Sequence, residues 1–223
     1  MPILNRPRAA IFDLDGTVVV DNMALHAEAF AAFAERHGLP ALTQADRVKL
    51  DGRRNSEIFP VLFDREMSRE EWQAYEHEKE GLYREVSRGR LTLVAGLPAL
   101  LERLAALNIA VALATSAPAL NVAHTLGETG LTGAFPTIVR GDQVPRGKPA
   151  PDVFIEASRQ LQVPADACVV FEDAPMGIVA AHAAGMRVVA VTTSFSAGQF
   201  AALDEPPDLA CRDFAAFLVL VRW

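Results

Sequence analysis

Short apolar runs that stop at turn or acidic residues recur along this 223-residue chain, and helical patterns fill most of the gaps between them. Ala9-Ala10-Ile11-Phe12 runs into Asp13-Leu14-Asp15-Gly16-Thr17. Similar runs stand at 109–114, 137–139, 168–171 and 188–191, with a weaker one at 208–211. Runs this short and this apolar read as strands buried on both faces. Pro98 opens a helix reaching about Leu107, and Pro118 opens one ending near Gly127. Pro151-Asp152 opens a third, with Val153, Phe154, Ala157 and Leu161 on one face. Ile178 to Ala184 forms a shorter one, stopped by Gly185. Strands alternating with helices need crossover connections, so the pattern predicts an α/β fold, a doubly wound parallel sheet with helices on both faces.

The alternation fails between about Asp21 and Leu91. That stretch predicts a helix from Met23 to His37, stopped by Gly38 and Pro40, a shorter one near 56–63, and a long one over 68–87. Ser68 and Glu71 have capping-box spacing. Trp72, Tyr75, Leu82 and Val86 make the apolar stripe of the long helix, and its charged residues read as a solvated face. Roughly seventy helical residues thus interrupt the α/β unit after its first strand. The division expected is a core of residues 1–20 and 92–223 and an inserted all-helical unit at 21–91.

Hydrophobic residues make up 51%, enough for a sizeable core and too many for a disordered chain. With 28 acidic against 21 basic residues the net charge is −7, which argues against binding nucleic acid or an anionic membrane. An anionic substrate would need concentrated local positive charge or a metal. Cys168 and Cys211 build neither a disulfide framework nor a metal cluster, and read as two buried thiols in a reducing compartment. The first residues lack the apolar run of a secretory signal, and no stretch is long and apolar enough to span a bilayer. The expectation is a soluble cytoplasmic protein, with its oligomeric state left open.

Asp13 and Asp15 leave the carboxyl end of the first strand, the edge where open α/β sheets place ligands. Adjacent carboxylates repel, so a cation or a shared proton should accompany them. Taken alone, the pair reads equally well as a solvated strand–loop boundary, and Lys148 alone as a surface lysine. Together the positions say more. Thr115-Ser116 follows the second core strand, Lys148 sits in a strand-to-helix loop, and Glu172-Asp173 follows a later strand. A parallel sheet puts all of them on one edge: four carboxylates, a lysine and a hydroxyl. That set can hold a divalent metal and a phosphoryl group, and hard oxygen ligands without His or Cys point to Mg²⁺.

These residues resemble the four motifs of the haloacid dehalogenase superfamily, in order: Asp13-Leu14-Asp15-Gly16-Thr17, Thr115, Lys148, and Glu172-Asp173. The resemblance covers nearly the whole chain. It implies a Rossmann-like core, and the inserted helices look like the cap of β-phosphoglucomutase-like phosphatases. On that resemblance Asp13 would be the nucleophile that forms an aspartyl-phosphate. Asp15 would be the acid and then the base, its carbonyl also a metal ligand. Gly16, Thr115, Ser116 and Lys148 would hold the phosphoryl group. Asp173 would complete the Mg²⁺ site, with Glu172 directly or through water.

Asp15 argues against a dehalogenase, which has no need of the second carboxylate. A phosphonatase-like member needs a cap lysine for a Schiff base, and Lys49 and Lys79 lie in no matching motif. The cap candidates for substrate specificity are His26, Gly52, Arg53 and Arg54. His26 matches a histidine shared by phosphatases and mutases, and reads equally as a histidine near a helix start. Around Gly52 the mutase's lysine is replaced by Asp51 and its arginine by Asn55, while Arg53 and Arg54 are shifted in register or are exposed turn charges. The function expected is Mg²⁺-dependent hydrolysis of a small phosphate monoester, with a sugar phosphate as the candidate. A phosphomutase is the alternative, and a non-catalytic phospho-acceptor module a third reading.

Overall fold

The computed structural model describes residues 5–20, 22–40, 43 and 55–221. The apolar runs form a six-stranded parallel sheet in the order β5-β4-β1-β6-β7-β8. Its strands are β1 (Ala9–Phe12), β4 (Ala110–Thr115), β5 (Thr137–Arg140), β6 (Cys168–Glu172), β7 (Arg187–Val191) and β8 (Leu209–Cys211). The first strand lies in the middle and is buried along its whole length, paired with β4 on one side and β6 on the other. The chain fills one flank with β4 and β5, then crosses β1 to build the other. Such a reversal opens a crevice at the carboxyl ends of the strands beside β1.

Strand alternation divides the core into two layers. Ala10, Phe12, Leu113, Val169 and Phe171 face α4 (Leu97–Ala106), α5 (Ala119–Glu128) and α9 (Phe214–Leu220). Ala9, Ile11, Ala112, Val170 and Val188 face α6 (Asp152–Leu161), α7 (Pro175–Ala183) and α8 (Ala197–Ala201). Phe12 and Phe171 stack across the β1–β6 seam with ring centroids 4.8 Å apart. The expected α/β architecture is therefore present, with helices on both faces.

Among the described residues three helices occupy the interruption: α1 (Asn22–His37), α2 (Asn55–Leu62) and α3 (Arg69–Ser87). They bury a cluster of their own, made of Leu25, Ala29, Phe33, Phe59, Leu82 and Tyr83. Ser68 caps α3 as its spacing predicts, accepting from the Glu71 N–H at 3.2 Å while the Glu71 carboxylate accepts from the Ser68 N–H at 3.0 Å.

Three features depart from the sequence reading. Val19–Val20 (β2) and Thr92–Leu93 (β3) pair antiparallel where the chain enters and leaves the inserted helices. Two short helices, α8 and α9, close the C-terminal part of the chain. The charged residues of α3 are not all a solvated face: Lys79 and Glu80 are each 3% exposed. They point into the junction with α1, α2 and α5, where each finds polar partners, so the solvated-face reading is corrected for these two.

Candidate active site

Lys148 organises the edge of the sheet. The loop before α6 carries it over the carboxyl ends of the three central strands. Its Nζ donates to Asp13 Oδ1 at 2.6 Å, to Glu172 Oε1 at 2.7 Å and to the Ala114 carbonyl at 3.4 Å. Those partners sit at the ends of β1, β6 and β4 respectively. Burial works against the ammonium, but Asp13 and Glu172 outweigh it and hold the amine above the usual lysine range. It is therefore a fixed positive charge, the concentrated charge an acidic chain needs for an anionic substrate.

The Asp13 N–H donates to the Phe171 carbonyl at 3.0 Å, which extends the β1–β6 ladder and fixes the Asp13 backbone. Burial pushes its carboxyl up to about 7, against the pull of Lys148 and with the repulsion of Glu172 and Asp15. Asp173 is held by Ser194, whose Oγ donates to Oδ2, and by Thr17 Oγ1, which donates to Oδ1 at 3.5 Å. Burial, then the charges of Glu172 and Asp13, push its carboxyl well above the ordinary range.

Glu172 is differently employed. Oε1 accepts from Lys148, and Oε2 accepts from the N–H groups of Asp173 and Ala174 at 2.7 and 2.8 Å. It thus anchors the lysine and the entry to α7. Two glycines make the packing possible. Gly16 has φ of 85°, and a Cβ there would lie 1.9 Å from Asp173 Oδ2. A Cβ on Gly177 would lie 1.8 Å from Glu172 Oε1.

Thr115 is buried at the end of β4, where its Oγ1 accepts from the Ala117 N–H at 3.0 Å. Ser116 follows it, half-buried. Asp15 leaves the strand edge and meets the inserted helices. Asn22 Nδ2 donates to its Oδ1, and His26 Nε2 lies 3.6 Å from its Oδ2. His26 in turn accepts at Nδ1 from Lys79 Nζ at 3.2 Å. Glu80 binds Lys79 at 2.7 Å, Asn55 at 2.7 Å and Asn121 at 2.5 Å. Burial opposes its charge, but Lys79, then His26, hold the carboxyl down at about 2. Gly52, Arg53 and Arg54 lie outside the described residues, as do Asp51 and Lys49.

The structure thus gathers Asp13, Lys148, Glu172 and Asp173, with Thr115 at the neighbouring strand end and Asp15 reaching toward His26. Sequence reasoning missed Asn22, Tyr83, Ser194 and Glu80. Only Ser194 had a usable signal, as a hydroxyl just beyond the end of β7.

Among the described residues no three His, Cys, Asp or Glu side chains converge as a metal-ligand cluster. The oxygen donors nevertheless suit Mg²⁺, which takes one or two carboxylates and keeps several waters. Asp13 and Asp173 are buried carboxylates whose repulsion a cation would relieve.

A family model described as haloacid dehalogenase-like hydrolase matches residues 10–191. A phosphorylated carbohydrates phosphatase of Thermotoga maritima is 33% identical over 195 residues, 86% of this chain and 88% of that protein. A β-phosphoglucomutase of Bacillus subtilis is 34% identical over 192 residues, covering 82% of this chain and 83% of that one. The crystal structure of a family IA, variant 3 haloacid dehalogenase hydrolase from Entamoeba histolytica superposes with a TM-score of 0.84 at 31% identity, covering 93% of each chain. In motif order, sheet order and sequence alike, the chain belongs to the haloacid dehalogenase-like hydrolases.

Proposed function

We propose that this protein is a Mg²⁺-dependent phosphatase of a small phosphate monoester, with a sugar phosphate as the substrate class. The observation that carries the reading is Lys148, buried across three strand ends and bonded to Asp13 and Glu172. A lysine in that place neutralises phosphoryl oxygens while leaving a carboxylate beside them to attack. The relatives named as carbohydrate phosphatases support it. The division proposed is a core of residues 1–20 and 92–223 and a helical cap of 21–91, with the substrate between them.

In this mechanism Asp13 attacks phosphorus, the bond to the leaving oxygen breaks, and Asp15 protonates that oxygen. Asp15 then takes a proton from water, which attacks the aspartyl-phosphate and releases inorganic phosphate and Asp13. Lys148 and Thr115, with Gly16 and Ser116, hold the phosphoryl oxygens. Asp13, Asp173 and the Asp15 carbonyl would hold Mg²⁺, with Glu172 behind Lys148. The ion supplies further charge stabilisation of the transferring group. Two unpaired buried thiols, Cys168 and Cys211, fit a cytoplasmic enzyme.

The cap favours hydrolysis over phosphoryl return. Asn55 stands where the mutase motif has an arginine, and its amide is committed to Glu76 at 3.1 Å and Glu80 at 2.7 Å. With its amide so engaged, Asn55 offers no cation to clamp a second phosphate. A panel of phosphorylated metabolites with Mg²⁺ tests the reading, with β-glucose 1-phosphate plus its bisphosphate activator included. Phosphate release from a sugar phosphate is expected. Conversion of β-glucose 1-phosphate to its 6-phosphate would select the mutase, and lasting phosphorylation without turnover the phospho-acceptor module.

A further inference from the structure

Asp15 belongs to the core by sequence, yet the side chains that hold its carboxylate come from the inserted helices. Asn22, the first residue of α1, donates its amide to Asp15 Oδ1. The other end of that amide is also engaged: Tyr83 OH donates to Asn22 Oδ1 at 2.6 Å. Asn22 and Tyr83 are both fully buried, and 61 residues separate them in the chain. An amide whose oxygen is occupied by a phenol can present only its NH₂ to the carboxylate. An NH₂ donates and does not accept, so Oδ1 must be an acceptor and the proton of the acid form resides on Oδ2. On the other face of Tyr83, His26 stacks on the ring with centroids 3.9 Å apart and planes 5° apart. One tyrosine thus supports both side chains that flank Asp15.

We propose that Asn22 and Tyr83 are positioning residues that assign the transferable proton of Asp15 to Oδ2, Asn22 through its amide and Tyr83 by fixing which way that amide faces. The proposal rests on the reading of Asp15 as the acid and base of the reaction. It concerns no group that contacts the phosphoryl oxygens.

Two substitutions separate the parts. Asn22→Asp keeps the shape and replaces the fixed NH₂ donor with a carboxyl that competes with Asp15 for one proton. Tyr83→Phe keeps the ring and its stack on His26 and lets the amide turn over. Both are measured with Mg²⁺ in the native background and in Asp15→Asn, by single-turnover release from phenyl phosphate and from p-nitrophenyl phosphate. Phenolate departs poorly without a proton, and p-nitrophenolate departs readily. We expect phenol release to fall about tenfold or more in Asn22→Asp and about threefold in Tyr83→Phe, with KM within about twofold. Release of p-nitrophenol should change less than about twofold, and in Asp15→Asn neither substitution should cost anything further.

Equal losses on both esters, undiminished losses in Asp15→Asn, or no loss at all would overturn the proposal. Should Asn22→Asp fail to fold, Tyr83→Phe, which removes only a hydroxyl, decides alone. An Asp15→Asn protein as fast as wild type on phenyl phosphate overturns the acid–base reading itself. That result is distinct because it involves neither Asn22 nor Tyr83.

Discussion

Lys148 and Lys79 are both 3% exposed, and both have carboxylate partners. They are built in opposite ways. Lys148 reaches Asp13 and Glu172, which are 135 and 24 residues away but stand at the ends of adjacent strands. Lys79 binds its own neighbour Glu80, while its other contacts, His26 and the Phe30 ring at 4.4 Å, come from α1. In the core, a parallel sheet delivers distant residues to one edge whatever lies between them. In the inserted helices, the polar groups meet only because three helices pack in one particular way. The first arrangement depends on where the strands end, and the second on how the helices pack. A fixed phosphoryl site beside an adjustable set of leaving-group contacts is what this difference would provide.

The largest expected effect tests the core half. Asp13→Asn removes the attacking group, and turnover should fall by about a thousandfold or more, with no aspartyl-phosphate trapped by acid quench. Near-normal turnover would end the covalent reading. Next comes Lys148→Met, which leaves Asp13 and Glu172 buried without their counter-charge. We expect kcat lower by about a hundred- to a thousandfold, and a stability loss of about 3–5 kcal/mol in denaturant titration without metal.

The metal is the third test. Chelation with EDTA should silence the enzyme and added Mg²⁺ restore it. Asp173→Ala should raise the Mg²⁺ concentration for half-maximal activity by about tenfold or more. Full activity in excess chelator would refute the Mg²⁺ assignment.

The cap half predicts smaller, substrate-dependent effects. Arg53→Ala or Arg54→Ala should lower kcat/KM for sugar phosphates by about ten- to a hundredfold and barely change p-nitrophenyl phosphate, since these arginines are proposed to hold the leaving group and not the phosphoryl group. Equal losses on both substrates would make these arginines ordinary surface charges. Smallest in size is a pH effect. The Glu80 carboxyl is lowered from 4.5 to about 2 in the folded state. Its stabilising contribution is therefore complete above pH 4.5 and lost as the pH falls through about 2. Glu80→Gln should flatten the stability–pH curve in that window by up to about 1.4 kcal/mol per pH unit, read from urea midpoints at each pH. Parallel curves for the two proteins would show that Glu80 is not held ionised by its surroundings.

The same contrast sets what could be read from sequence. The core strands were legible because each is a short, largely apolar run ending at turn or polar residues. Asp13, Thr115, Glu172 and Asp173 were legible because they end or directly follow those runs, and Lys148 through the motif resemblance. The network around Asp15 and Glu80 was not, since its partners lie far apart: Tyr83 with Asn22 across 61 residues and Glu80 with Asn121 across 41. A charged residue on an amphipathic helix carries no mark that says it faces another helix, and Lys79 and Glu80 were misjudged for that reason. The β2–β3 pair escaped notice because two residues per strand leave no periodicity. The α9 helix did carry a signal, Asp213, whose carboxylate accepts from the Ala216 N–H at 2.7 Å as an N-cap.

The β2–β3 pair has a further consequence. Val20 and Thr92 stand directly opposite each other in an antiparallel register, and Val19 opposite Leu93. Opposed residues of this kind lie about 4.5–5.5 Å apart, a gap that a two-residue hairpin turn can bridge. For the sheet, everything between those residues is equivalent to the tip of a hairpin. The insertion can be lengthened, shortened or exchanged for another without moving β1, though an exchange also replaces the side chains that hold the Asp15 carboxylate. A lineage built on this plan can change what it recognises by trading loops at one doorway, while Lys148 and its two carboxylates behind the door stay as they were.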